Sequence, residues 1–226
     1  MDEPLASAPH PIPYQGSKRR LVPAILAYAP ERVARLIEPF AGSGALTIGA
    51  AMRGRAEHYR LGDALAPLAM LWRTILERPH VLADRYERIW REQASDPRAH
   101  YLAVRAAFNR EPEPARLLFL LARCVKNAVR FNPAGAFNQS ADHRRAGMRP
   151  EKMRRELLGV HALLAGRASA AHADYRELLA EARPGDLVYL DPPYQGVSSG
   201  GDARYVQGLD LPGFVEALDE LNRRPR

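Results

Sequence analysis

Arg35-Leu36-Ile37-Glu38-Pro39-Phe40-Ala41-Gly42-Ser43-Gly44 is the stretch that decides the fold. Arg35 to Phe40 reads as a short strand, and Ala41 to Gly44 breaks it. Ala45 to Met52 then reads as a helix rich in small residues. His58 to Leu61 reads as a second strand, closed by Gly62-Asp63, and another helix starts near Pro67. Strand, glycine turn, helix, strand, acid is the opening of a βαβ unit, which calls for a parallel sheet covered by helices. Glycines after a strand let a ligand approach the backbone closely, and the helix start behind them offers free N–H groups. The GK[ST] ending of a phosphate loop is absent, and only Gly42-Ser43-Gly44 matches GxGxxG, so a plain strand–helix turn is the alternative. Asp63 at the second strand end can accept from ribose hydroxyls, as in dinucleotide folds, or can cap the next helix.

Working outward, residues 1–11 read as a loose, proline-rich tail. Tyr14-Gln15-Gly16-Ser17-Lys18-Arg19-Arg20 reads as a polar turn, and Leu21 to Tyr28 as a helix with Pro23 in its first turn. Lys18 beside Gly16 can bind a carboxylate or phosphate, or can be a solvated charge. Towards the other end, Ala170 to Tyr175 is a weak strand. Asp174 there can take an adenine amino group or cap the helix that follows. Leu187-Val188-Tyr189-Leu190 reads as a buried strand delivering Asp191-Pro192-Pro193-Tyr194. That tetrapeptide is a kit for gripping a flat, amino-bearing base. Asp191 accepts from an exocyclic amino group, the prolines leave carbonyls free to accept, and Tyr194 offers a stacking face. Leu211 to Leu221 reads as a last helix.

Between these β-type ends, Trp72 to Arg123 is helical in pattern, with Leu117 to Val125 a buried helix. Residues 126–150 are turn-rich and aperiodic, and Glu151 to Leu164 returns to helix. The stretch from Lys126 to Arg155 is strongly basic, with Arg130, His143, Arg144, Arg145, Arg149, Lys152, Arg154 and Arg155 against few acids. Arginines neutralise phosphate, and Asn or Gln side chains such as Asn127, Asn132, Asn138 and Gln139 read base edges. The organisation expected is an α/β catalytic domain, residues 12–71 and 161–226, with a helical recognition domain inserted at 72–160.

Composition is compatible with this. The chain has 226 residues, 46% of them hydrophobic, and a net charge of +7. A packed core is within reach and a polyanionic partner is favoured. The single cysteine, Cys124, excludes internal disulfides and a cysteine zinc cluster, and a reducing compartment fits. Cys124 lies in an apolar helix and reads as core. The histidines show no metal-ligand spacing. No apolar run approaches the roughly 20 residues of a membrane helix.

Taken together, these motifs resemble the Dam-like DNA adenine-N6 methyltransferases, in which a recognition domain sits between the cofactor motif and the catalytic motif. Tyr14 to Arg19 is similar to that family's aromatic-x-Gly-Gly-Lys turn. Glu38 to Gly44 resembles its E-P-F-x-G-x-G loop, and Asp191 to Tyr194 is its D-P-P-Y. Arg130-Phe131-Asn132 with Gly135-Ala136-Phe137-Asn138 resembles its R-x-N…G-x-F-N hairpin. The resemblance implies a Rossmann-like fold and S-adenosylmethionine as cofactor, with no metal. Tyr14 and Lys18 would line the pocket for its methionine part, with Phe40, Gly42 and Gly44 bordering the cofactor. Asp63 would hold the ribose and Asp174 the adenine. Asp191 and the Pro192 carbonyl would accept from the target amino group, and Tyr194 would stack on a flipped adenine, with Pro193 completing the motif. Lys126, Asn127, Arg130, Asn132, Asn138, Arg144 and Arg145 would meet DNA. The implied partner is double-stranded DNA, with a cognate restriction endonuclease as a second, in a bacterial-type, nucleoid-associated cytoplasmic setting.

Three departures stand out. Ser17 replaces the second glycine of the N-terminal turn. Gln139-Ser140-Ala141 replaces the Pro-Phe-Gly that often follows Phe-Asn. The chain ends at Arg226, where the family's sheet continues, so the expectation is either missing C-terminal strands or a compact variant. Transfer to cytosine N4 or to an RNA base, and an inactive DNA-binding remnant, are the competing expectations.

Overall fold

The computed structural model describes residues 8–192 and 209–224. Among them, the elements run α1 (Val22–Ala27), β1 (Val33–Glu38), α2 (Ala45–Met52), β2 (Ala56–Asp63), α3 (Ala66–Glu77), α4 (Pro79–Glu92), α5 (Pro97–Arg110), α6 (Pro114–Arg123), α7 (Pro150–Leu164), β3 (Ala168–His172), α8 (Tyr175–Ala180), β4 (Asp186–Val188) and α9 (Leu211–Arg223). The four strands form one parallel sheet in the order β3-β2-β1-β4. Leu36 lies opposite Tyr59 on one side and Leu187 on the other. This is the mixed α/β, Rossmann-like architecture expected from the strand–turn–helix opening.

Side chains alternate faces along a strand, and β1 shows it. Leu36 belongs to the large core shared with α2, α3 and α7, whereas Ile37 faces Ala173 and Leu178 beside α8. The first core is continuous from the sheet through α3 to α7. Trp72, Tyr86, Tyr101, Phe108 and Phe119 are all buried in it. A smaller cluster of Tyr175, Leu179 and Phe214 joins α8 to α9.

The helical run from Trp72 to Arg123 is four helices rather than one pattern. Pro79, Pro97 and Pro114 each open a helix, where the missing N–H costs nothing. Asp96 caps α5 by accepting from the Arg98 and Ala99 amides at 3.0 and 2.9 Å. Two expectations need correcting. Residues 8–11, the described part of the tail expected at 1–11, are not loose: Ala8 is buried, and the His10 amide donates to Glu156 on α7 at 2.6 Å. The strand before Asp191 is not deeply buried. β4 is three residues long and half-buried, because among the described residues it pairs only with β1. Tyr189 still continues the ladder, its amide donating to the Ile37 carbonyl at 2.9 Å.

Candidate active site

All four parallel strands end at one rim. β1 delivers Glu38, β2 delivers Asp63, β3 leads to His172 and Asp174, and β4 leads to Asp191. The chain crosses from one side of β1 to the other between β3 and β4, so the crevice beside β1 is the topological switch point where ligands settle in such sheets. A cleft of about 810 Å³ opens there, and its walls include Tyr14, Lys18, Phe40, Gly42, Asp63 and Asp191.

The floor is the glycine turn. Gly42 and Gly44 take φ of +49° and +61°, left-handed values that favour glycine. Gly44 is the N-cap of α2, and a Cβ on it would sit 2.3 Å from Trp72 Cζ2. A Cβ on Gly42 would come within 3.3 Å of the Tyr14 ring. Trp72 Nε1 donates to the Gly42 carbonyl at 2.9 Å, and Asp63 Oδ2 accepts from the Gly42 amide at 3.1 Å. Asp63 Oδ1 accepts from the Leu65 amide at 2.9 Å. Asp63 therefore staples the glycine turn to the start of α3, and each oxygen keeps a second lone pair for a hydroxyl. Burial pushes its carboxyl up to about 6, against the lowering by those two amides.

Glu38 lies deeper, 3% exposed. Its Oε2 accepts from Thr47 Oγ1 at 2.5 Å and from the Thr47 amide at 3.1 Å. Burial raises its carboxyl to about 7. The Thr47 hydrogen bonds oppose that shift, and the nearby Asp191 and Asp63 add to it. Above this acid, Lys18 Nζ meets Asp191 Oδ2 at 2.5 Å and donates to the Gly16 carbonyl at 3.2 Å. Sequence reading gave these two residues different duties, and the fold pairs them. Ser17, the departure from the glycine pattern, has a partner in Ser43, whose Oγ donates to Ser17 Oγ at 2.9 Å.

The far wall carries Asp174 and an aromatic cluster. Asp174 Oδ1 accepts from the Arg176 amide at 2.9 Å and, with Glu177, completes a capping box on α8. The helix-cap role and the place on the cleft wall are both realised. Phe40 stacks on Tyr175 at 5.5 Å between ring centroids, and Phe214 packs edge-on against both. The Tyr175 hydroxyl is buried with no hydrogen-bond partner among the described residues. His172 Nε2 lies 3.1 Å from the Ala64 carbonyl. Of the tetrapeptide, Asp191 and Pro192 line the cleft, while Pro193 and Tyr194 lie outside the described residues.

Residues 124–141 form a hairpin-like loop with isolated antiparallel bridges Cys124–Ala141 and Phe131–Phe137. Asn109 on α5 clamps it, accepting from the Phe137 amide at 2.8 Å and donating to its carbonyl at 3.0 Å. The candidate DNA residues divide. Asn132 is spent on the turn, its Oδ1 accepting from the Ala136 amide at 2.9 Å. Asn127 donates to the Leu121 carbonyl at 2.8 Å and accepts from Arg145. Lys126 and Asn127 hold consecutive left-handed φ values of 58° and 53°. Arg144 and Arg145 both reach the buried Asp142, whose carboxyl they hold down at about 2. Lys126, Asn138, Arg144 and Arg145 are exposed, and Arg130 is half-buried.

Sequence reasoning missed Trp72, Thr47, Tyr175 and the burial of Glu38. Only Glu38 left a trace in the sequence, as an acid ending an apolar strand. The other three were ordinary core or helix positions until the fold brought them to the glycine turn.

Comparison with known proteins agrees with this geometry. The family described as D12 class N6 adenine-specific DNA methyltransferase matches residues 14–217. A DNA N-6-adenine-methyltransferase of Escherichia phage P1 is 31% identical over 224 residues, 93% of this chain and 28% of that protein. A Retron Ec67 DNA adenine methylase of Escherichia coli is 32% identical over 172 residues, 74% of this chain and 57% of the relative. A DNA adenine methylase of Serratia marcescens is 28% identical over 190 residues, covering 82% of this chain and 67% of the relative. The chain thus spans 28% and 57% of the length of the first two.

Proposed function

The chain belongs to the D12 class N6 adenine-specific DNA methyltransferase family, and on that premise we propose that it transfers a methyl group from S-adenosylmethionine to the N6 amino group of a flipped adenine in double-stranded DNA. The observation that carries this is the convergence of the glycine turn, Asp63, Lys18 and Asp191 on one cleft at the switch point of the sheet.

The residues present fit the cofactor. Gly42 lines the cleft, where a Cβ on it would crowd the Tyr14 ring, and the orphaned Tyr175 hydroxyl marks a polar group awaiting a partner. Lys18 and Tyr14 would line the site for the methionine part. Asp63 would accept from the ribose hydroxyls, Asp174 would accept from the adenine amino group through Oδ2, and Phe40, Gly42 and Gly44 would border it. S-adenosylmethionine supplies a methyl group made electrophilic by its sulfonium. The protein's task is to present the nucleophile.

An adenine amino nitrogen is a poor nucleophile because its lone pair is delocalised into the ring. Asp191 and the Pro192 carbonyl accept its two hydrogens and favour a more tetrahedral nitrogen, whose lone pair then points at the methyl group. Positioning supplies much of the rate. Lys18 pairs with Asp191 and fixes the direction of its carboxyl, so the acceptor is preorganised. The proton leaves late, through Asp191 or water. In the family motif Tyr194 would stack on the extruded base, and the stretch 72–160 would grip the duplex.

The test is transfer of labelled methyl groups to duplex DNA by the full chain and by Asp191→Asn, with cofactor affinity measured in parallel. Transfer by the wild type, lost in the variant with cofactor binding kept, supports the proposal. Equal transfer by both would remove Asp191 from the chemistry.

A further inference from the structure

The fold sorts the basic stretch into three parts. Arg144 is neutralised locally by Asp142, and Arg154 turns to α4, where it meets Asp84 at 2.5 Å and Glu87 at 3.4 Å. Arg145, Arg149, Lys152 and Arg155 instead converge on one open cleft of about 740 Å³ at the start of α7. Lys152 and Arg155, three positions apart, share one face of that helix, and Arg149 is its N-cap. Among the described residues, no salt bridge or side-chain hydrogen bond to Arg149, Lys152 or Arg155 is found. The one acid on the cleft, Glu151, lies 3.9 Å from Arg91.

The loop beneath this charge is held rigidly. Gln93 Nε2 donates to the Ala146 carbonyl at 3.1 Å, and the Tyr86 hydroxyl donates to the Met148 carbonyl at 2.6 Å. Gly147 takes φ of +81° with the Arg123 side chain against it, and Arg145 Nη1 donates to Asn127 Oδ1 at 3.2 Å. Arg145 is answered by Asp142 at 3.0 Å, but Arg149, Lys152 and Arg155, three cations at the start of one helix, repel one another and call for an anion. The neighbouring ground says which. Asn127 lines this cleft, and its carbonyl accepts from the Gln15 amide at 2.9 Å, while Gln15 lines the catalytic cleft. That contact, and the consecutive residues Pro13 and Tyr14, join the lining of one depression to that of the other.

We propose that this second cleft seats the sugar-phosphate backbone of the substrate duplex next to the target base, with Arg149, Lys152 and Arg155 as its phosphate contacts. This rests on the reading of the chain as a DNA methyltransferase. Arg154, on the opposite face of the same helix, carries the same charge and takes no part.

The test is the salt dependence of duplex DNA binding, read by fluorescence anisotropy on the full chain. The exposed triple variant Arg149→Ala/Lys152→Ala/Arg155→Ala, the single variant Lys152→Ala and its charge-matched control Arg154→Ala are compared with wild type. Each lost phosphate contact removes about 0.9 from the slope of log affinity against log salt. The triple variant should lose about 2 to 3 in slope and at least tenfold in affinity, with cofactor affinity unchanged and Arg154→Ala near wild type. A wild-type slope retained by the triple variant overturns the second cleft alone. A slope loss in Arg154→Ala equal to that in Lys152→Ala also overturns it, by reducing the effect to net charge. A wild-type protein that binds cofactor but no DNA sinks the methyltransferase reading and this site with it.

Discussion

Glu38→Gln should turn a pH-dependent stability into a flatter one. Folding buries Glu38 and raises its carboxyl to about 7, while an unfolded glutamate titrates near 4.5. The folded state therefore binds this proton more tightly. Stability from this group is full below pH 4.5, falls as pH rises through the interval to about 7, and is flat above it. The interval corresponds to roughly 3 kcal/mol. Glutamine keeps an oxygen for the Thr47 amide and hydroxyl but carries no charge. The variant should gain about 2 to 3 kcal/mol on wild type between about pH 5 and pH 8. Urea unfolding of both proteins across that range measures it. Asp63 titrates in the same direction in both proteins, so subtraction isolates Glu38. A wild-type-minus-variant difference that stays constant within about 0.5 kcal/mol would show that Glu38 is not a buried, elevated acid.

Further expectations concern the turn, the hairpin and the core. Gly44→Ala places a Cβ 2.3 Å from Trp72 on a residue at φ +61°. It should cost about 2 to 4 kcal/mol in thermal unfolding and abolish cofactor binding, and a loss under about 0.5 kcal/mol would deny the crowding. Asn109→Ala removes both clamps on Phe137. It should cost about 1 to 3 kcal/mol and speed amide exchange in residues 131–138, with cofactor affinity unchanged. Exchange unaltered there would mean other contacts hold the loop. Cys124 is fully buried with its thiol pushed up to about 12. Native protein should resist iodoacetamide at least 100-fold better than urea-unfolded protein, and comparable rates would place the thiol at the surface.

The βαβ opening was legible because its information is local. Small residues after a strand, a helix of alanines and an acid ending the next strand each announce themselves within a few positions. The stretch from Trp72 to Arg123 was legible as helical but not as four helices, since the side-chain pattern passes through Pro79, Pro97 and Pro114 without changing character. The site was legible where one residue type serves one motif, as at Asp63 and Asp191. It was not legible where partners come from distant chain. Lys18 and Asp191 are far apart in sequence, and their pairing follows only once β1 and β4 lie side by side. The basic stretch shows the same limit. Sequence counts its charges, but only the direction of each α7 face separates Arg154 from Lys152 and Arg155.

The most direct test of the whole account is chemical. The full chain is incubated with methyl-labelled S-adenosylmethionine and mixed-sequence duplex DNA, the DNA is digested to nucleosides, and the labelled nucleoside is identified by mass spectrometry. Label in N6-methyl-2′-deoxyadenosine, dependent on Asp191, is the predicted result. Label in N4-methylcytosine, or no transfer by a protein that binds both cofactor and DNA, would contradict it.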